Sequence, residues 1–294
     1  MSITRRDFIK QSALTGLFLT GLPSYSKDLF SSLLDDYDEV ICKKKFKLFV
    51  DDDISKLPIS DAITEIGKSF LGTDYVAGTL DKDTNNEKLV INLTGLDCVT
   101  FVENCLVFAR CIKSGKTSFD DYLTELQKIR YRDGIIDGFA SRLNYFCDWI
   151  YNNEDKGIVK NITPDIGGIV YDKTINFMSS HTKSYKQLAN KTELEGIKAC
   201  EEAINSRTYY YIQTKNISKA YDLLQNGDII ATTTTIGGLD VTHTGYVYKE
   251  SGGTYFLHAS SKSKEVIISS GELQEYVAED SKKTGIMVAR PQEL

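Results

Sequence analysis

From Arg207 to Ala289 the apolar residues alternate with period two, and turn residues cut the alternation into short lengths. The runs are Thr208 to Gln213, Asp228 to Thr234, Val241 to Lys249, Thr254 to Ala259, Glu265 to Ser269 and Gly285 to Ala289. They are punctuated by Asn226-Gly227-Asp228, Gly237-Gly238 and Ser251-Gly252-Gly253. Such runs read as strands joined by tight turns, in other words a meander. A short helix is expected from Leu273 to Ala278, before the last strand. Upstream of Arg207 the apolar spacing is helical instead, so the chain should fold as α+β, with helices first and a mostly antiparallel sheet afterwards. At 294 residues and 41% hydrophobic content it is long enough to bury one large core.

The helical half begins with a polar lead-in, residues 27–57, carrying one expected strand from Phe46 to Val50. Ser60 offers an N-cap to a helix with the stripe Ile63, Ile66 and Phe70, stopped at Gly72. A strand from Leu89 to Leu93 then leads to Asp97, an N-cap for a helix whose stripe is Val99, Val102, Leu106 and Ala109 and whose end is Gly115. Ser118 with Asp121 forms a capping box for the next helix, which carries Tyr122, Leu126 and Ile129. Residues 155–206 are weakly patterned apart from a helix near Leu194 to Ile204.

Cys98 falls in the first turn of its helix, where unpaired backbone N–H groups and the helix dipole favour a thiolate. Two of the three histidines, His243 and His258, fall on neighbouring strands of the meander. A thiolate nucleophile needs a base, and the base needs a polar partner to hold its ring, so the three residues together suit covalent catalysis. The alternative is a buried core cysteine and two hydrogen-bonded strand histidines. His181, in a polar stretch, reads as a surface residue.

The net charge of −6 and pI near 5.3 argue against a nucleic-acid partner. No HExxH, CxxC or Walker sequence occurs and the six cysteines follow no zinc-ligand spacing, so neither a metal nor a cofactor is expected. At the N-terminus, Arg5-Arg6 with Phe8 and Lys10 precedes the apolar run Ala13 to Leu22 and then Ser24-Tyr25-Ser26. This reads as an export signal over 1–26, of the twin-arginine or the ordinary secretory kind, leaving a protein with no membrane insertion outside the cytoplasm.

Several stretches together resemble NlpC-type papain-like cysteine peptidases, which cleave peptidoglycan. They are Gly72-Thr73-Asp74-Tyr75-Val76-Ala77-Gly78, Leu96 to Val102, Leu224 to Asp228, His243 to Val247 and Leu257 to Ser260. The resemblance implies one catalytic domain over 27–294, with helices packed on an antiparallel sheet or partly open barrel and a helical insertion at about 116–206. It implies Cys98 as nucleophile, His243 as general base and acid, His258 as the orienting third member, and Tyr75 as a hydroxyl beside the thiol. Val99-Thr100 stands where most members carry Ser-Gly, and the long middle segment contains Tyr131-Arg132-Asp133-Gly134 and Ser141-Arg142. Both features look like a branch of periplasmic N-acetylmuramoyl-L-alanine amidases that act on muropeptides, although Asn144 stands where that branch is expected to carry a histidine. Asp97, Arg132, Ser141 and Arg142 are then the expected substrate contacts, because arginine forks suit the carboxylates of stem peptides. Two rivals are an endopeptidase cutting between γ-D-glutamate and the following diamino acid, and a non-catalytic wall-binding module.

Overall fold

The computed structural model describes residues 25–81 and 86–294. Residues 1–24 of the expected export signal lie outside the described residues. Helices α1 (Tyr25–Asp51) and α2 (Ile59–Lys68) are followed by the short strands β1 (Asp74–Tyr75) and β2 (Gly95–Leu96). Then come α3 (Cys98–Lys113), α4 (Phe119–Arg130), α5 (Phe146–Asp155), β3 (Val159–Asn161), β4 (Ile169–Val170), α6 (Phe177–Ser180) and α7 (Lys191–Asn205). The chain closes with β5 (Tyr210–Gln213), β6 (Ile229–Thr234), β7 (Val241–Glu250), β8 (Gly253–Ser260), β9 (Glu265–Ile268), α8 (Leu273–Ala278) and β10 (Lys283–Pro291).

Ten strands form one open mixed sheet in the order β2-β1-β9-β8-β7-β6-β10-β5-β4, with β3 also paired to β10. The β1–β2 pair is parallel and the others are antiparallel. Of the expected meander, β6 to β9 form as neighbours, whereas β5 (Thr208 to Gln213 in the expectation) lies beyond β10, which α8 carries back to the far side of β6. Helix α3 packs on β7 and β8. Phe101 meets Tyr246 edge to face with ring centroids 5.9 Å apart, and the Tyr246 hydroxyl donates to the Val102 carbonyl at 2.6 Å. Among the described residues, no helix is long and apolar enough to cross a membrane.

Three local expectations need correction. Phe46 to Val50 belongs to α1 and is not a strand. Period two would bury Phe46, Leu48 and Val50 together, but Cys42, Phe46 and Phe49 are the buried set, and Leu48 and Val50 are 44% and 54% exposed. That is helical spacing, fixed by Phe46 and Phe49 meeting Phe108 of α3 at 5.0 and 5.5 Å and by the outward pairs Lys43–Glu39 and Lys47–Asp51. Leu89 to Leu93 joins no sheet, and side chains take several of its backbone groups. The Val90 carbonyl accepts from Arg130 and the Leu93 N–H donates to Asp38, while Asn92 accepts from the N–H groups of Thr94 and Gly95. Helix α2 starts two residues earlier than expected, after Pro58 in place of Ser60 as N-cap. The reading at Ser118 and Asp121 agrees with the capping box found there.

The middle segment is held by buried charge. Glu103 of α3, almost fully buried, accepts from Arg130 Nε at 2.7 Å and from the Trp149 indole at 3.3 Å, joining α3, α4 and α5. Asp148 of α5 accepts from Arg132 at 2.6 Å and from Arg207 at 2.7 Å. Residues 116–206 are not purely helical, since they supply β3 and β4 to the sheet.

Candidate active site

Cys98 is the first residue of α3. Asp97 caps the helix: its Oδ1 accepts from the Thr100 N–H at 2.8 Å, and the Thr100 hydroxyl accepts from the Asp97 N–H at 2.9 Å. The Val99-Thr100 sequence therefore supplies the cap that fixes the cysteine. The backbone N–H groups of Thr244, Val99 and Cys98 itself are directed at the sulfur, and Thr244 brings β7 to the nucleophile.

His243 and His258 lie on one face of β7 and β8. Gly245 faces His258 across the pair, which makes His243 a diagonal neighbour. A Cβ at Gly245 would lie 2.7 Å from both the His258 Cβ and the Leu257 carbonyl oxygen, so only glycine allows this approach. His243 Nε2 and His258 Nδ1 are 2.7 Å apart. If His243 Nε2 donates, His243 Nδ1 is left unprotonated, as a base requires, and the His258 proton resides on Nε2, which is buried with no hydrogen-bond partner among the described residues.

The electrostatics run against the thiolate that the helix start favours. Burial pushes the Cys98 thiol up to about 12, with the Asp97 carboxylate adding to the effect, and this outweighs the N–H groups that favour the thiolate. Burial also drives His243 well below the ordinary histidine value, helped by His258 and by Lys283, and takes His258 down to about 3, with Lys283 again contributing. These shifts favour a neutral thiol beside neutral imidazoles, with Cys98 and His243 only half-buried. Tyr75, on β1, is pushed up to about 12 by burial and then by the neighbouring Cys98, so its hydroxyl remains a donor at neutral pH.

Beside the start of α3 lies a cleft of about 240 Å³ whose lining includes Asp97, Val99, Glu103, Arg130, Arg142 and Asn144. Asp97 and Arg142 both line this cleft, whereas Cys98, Tyr75, His243 and His258 are not among its lining residues. Arg142 is also paired, with Asp81 at 2.7 Å and Glu87 at 3.5 Å. Asn144 turns its amide onto the Phe139 and Arg142 carbonyls. Arg132 does not line this cleft and is bound to Asp148, while the Ser141 hydroxyl donates to the Gly138 carbonyl and accepts from the Asp137 N–H, holding its own turn. Arg132→Ala should thus lower the melting temperature by several degrees, through loss of about 1.5–3 kcal/mol of charge-assisted hydrogen bonding, with kcat/KM nearly unchanged in the folded enzyme. Thermal melts run beside kinetics check this. His181 is exposed and stacks on Phe177.

Sequence reasoning missed Tyr276. Its ring packs 4.8 Å from His258 and 6.2 Å from His243, centroid to centroid. The helix that bears it was legible, but nothing in six residues signals which side chain returns to the histidines. The buried Glu103–Arg130 pair in the cleft was missed too. Its signal was a charged residue at position 103, amid the apolar residues of the α3 stripe.

A family model described as AmiA-like, N-acetylmuramoyl-L-alanine amidase-like, matches residues 65–286. The crystal structure of an N-acetylmuramoyl-L-alanine amidase from Bacteroides uniformis is 36% identical, covering 80% of this chain and 99% of its own, with a TM-score of 0.75. A Bacteroides fragilis structure with a provisional xylanase name is also 36% identical, over 76% of this chain and 98% of its own, with a TM-score of 0.72. Protein LPG0564 of Legionella pneumophila shares the fold at 21% identity and a TM-score of 0.69, over 89% of this chain and 96% of its own. No curated protein matches the chain. With the family model spanning most of its length, the chain belongs to the AmiA-like family of N-acetylmuramoyl-L-alanine amidase-like proteins.

Proposed function

We propose that this protein hydrolyses the amide between the lactyl group of N-acetylmuramic acid and L-alanine in muropeptides, by acyl transfer through Cys98. The observation that carries the reading is the juxtaposition of a helix-start cysteine with the strand of His243, whose Nε2 is taken by His258. Family membership supports the bond, and a nucleophile helix packed on an antiparallel sheet supports an NlpC-type, papain-like description of the single catalytic domain. Cys98 Sγ attacks the amide carbonyl as His243 Nδ1 takes the thiol proton, and His258 stabilises the imidazolium that forms. The Cys98 N–H and the Tyr75 hydroxyl serve as donors to the oxyanion. His243 then gives its proton to the alanine nitrogen and the C–N bond breaks; water, deprotonated by His243, attacks the thioester, the C–S bond breaks to give the lactyl carboxylate, and the departing Cys98 sulfur recovers its proton from His243. Arg142 and Asp97 bind the substrate's polar groups. In the same proposal, residues 1–26 export the protein to the periplasm for cell-wall turnover.

A glycosidase reading would need a pair of free carboxylates flanking the bond. Asp97 caps α3 and Glu103 is held by Arg130 and Trp149, which argues against it. Product analysis of a defined anhydro-muropeptide by mass spectrometry tests the amidase reading: an intact stem peptide and a peptide-free sugar are expected, whereas a sugar bearing a dipeptide means the endopeptidase.

The protonation states predict a pH profile. The reaction needs neutral imidazoles, and both are depressed, so kcat/KM should fall only well below pH 6.5 and stay level from about pH 6.5 to about 9. An enzyme that rests as thiolate and imidazolium would instead lose activity over that range as the imidazolium deprotonates. Steady-state rates across pH separate the two.

A further inference from the structure

We infer that Tyr276, with the Lys283 ammonium seated on its ring, is a positioning residue for the His243–His258 pair: the ring closes the wall around the imidazoles and holds the ammonium over its face. The inference rests on the proposed catalytic role of that pair. His258 is flanked by two rings, with Phe256 stacked at 4.7 Å and 19° and Tyr276 at 4.8 Å and 59°. Tyr276 also packs 4.9 Å from Phe256, so the three rings form one cluster. Lys283 Nζ lies 3.9 Å from the centre of the Tyr276 ring, a cation–π distance. It is placed there by an irregularity in β10, where the register to β6 shifts between Lys283 and Gly285. Such bulges re-aim a side chain that regular pairing would point elsewhere.

The imidazole geometry explains why a positive charge is useful here. Two rings facing nitrogen to nitrogen at 2.7 Å share one proton; a further proton on His258 Nδ1 leaves two donors face to face and breaks the contact that orients His243. The ionisable groups on the surrounding elements include Asp97 and Cys98 at the start of α3, Tyr75 on β1, Glu265 on β9, Tyr276 with Glu279 and Asp280 on α8 and its end, Lys262 after β8, and Lys283. Of these, Lys283 is the charge that acts on both rings. Glu279 and Asp280 act on Lys283, favouring its charged form against the burial that lowers it.

The sign follows. Removing the ammonium makes the pair easier to protonate, so the acid limb of kcat/KM must move up in pH. Lys283→Met should raise it by about one pH unit. Tyr276→Ala should raise it too by admitting water, whereas Lys283→Arg and Tyr276→Phe, which keep the charge and the ring, should leave it in place. A second readout needs no turnover: imidazole nitrogen NMR of the full chain with Cys98→Ser, titrated with and without Lys283→Met. Both histidines should protonate at higher pH in the Lys283→Met protein. Unchanged titration in that protein, or a limb that moves equally in Lys283→Arg, overturns the inference. A wild-type enzyme inert on muropeptides at every pH overturns the amidase reading instead and leaves the NMR comparison to judge Lys283.

Discussion

Cys98→Ala is expected to give a folded protein whose muropeptide hydrolysis is lower by at least about 10³-fold. Folding survives because the cap of α3 belongs to Asp97 and Thr100, and alanine is a good helix former at the position it would take. Activity does not survive because no other group at the helix start can form the acyl intermediate. Circular dichroism and a coupled amide assay on one preparation decide the matter, and retention of more than a few per cent of wild-type turnover removes Cys98 from the role.

The second large effect is on stability. Arg130→Ala should lower it by about 3–5 kcal/mol, since removing one partner of a buried pair strands the other charge in the core, and the melting temperature should fall by roughly 10 °C or more. Burial already pushes the Glu103 carboxyl up against the pull of Arg130. Without Arg130 the carboxyl should take up a proton more readily, so the deficit should shrink as the pH falls. The double substitution Glu103→Leu with Arg130→Met, which leaves no orphan charge, should recover most of the loss. Melting curves at two pH values test this; an equal deficit at both, with no recovery in the double variant, would show that the pair is not what joins α3, α4 and α5.

The legible parts of the sequence were those where one local rule decides the outcome. Period two and tight turns gave β6 to β9 and the bounds of α8, and the capping residues located the starts of α3 and α4. Phe46 to Val50 misled because five residues fit both a strand and a helix, and Phe108, sixty residues away, chooses between them. At the proposed site, the sequence pointed to Cys98, His243 and His258, whose protonation state depends on burial and so is not legible in any local pattern. Arg132 and Arg142 look alike in sequence; Asp148 claims one and the cleft wall receives the other. Tyr276 reaches the histidines from α8, and Lys283 reaches the Tyr276 ring from the start of β10, where the register to β6 is broken.

The central claim is that Cys98 carries the lactyl acyl group of the sugar. The direct measurement is intact-protein mass spectrometry on enzyme acid-quenched during turnover, followed by peptide mapping. The account predicts a thioester adduct on Cys98 with the mass of the peptide-free muramoyl half of the substrate. An adduct that retains L-alanine and D-glutamate, or one mapped to any residue other than Cys98, would contradict it.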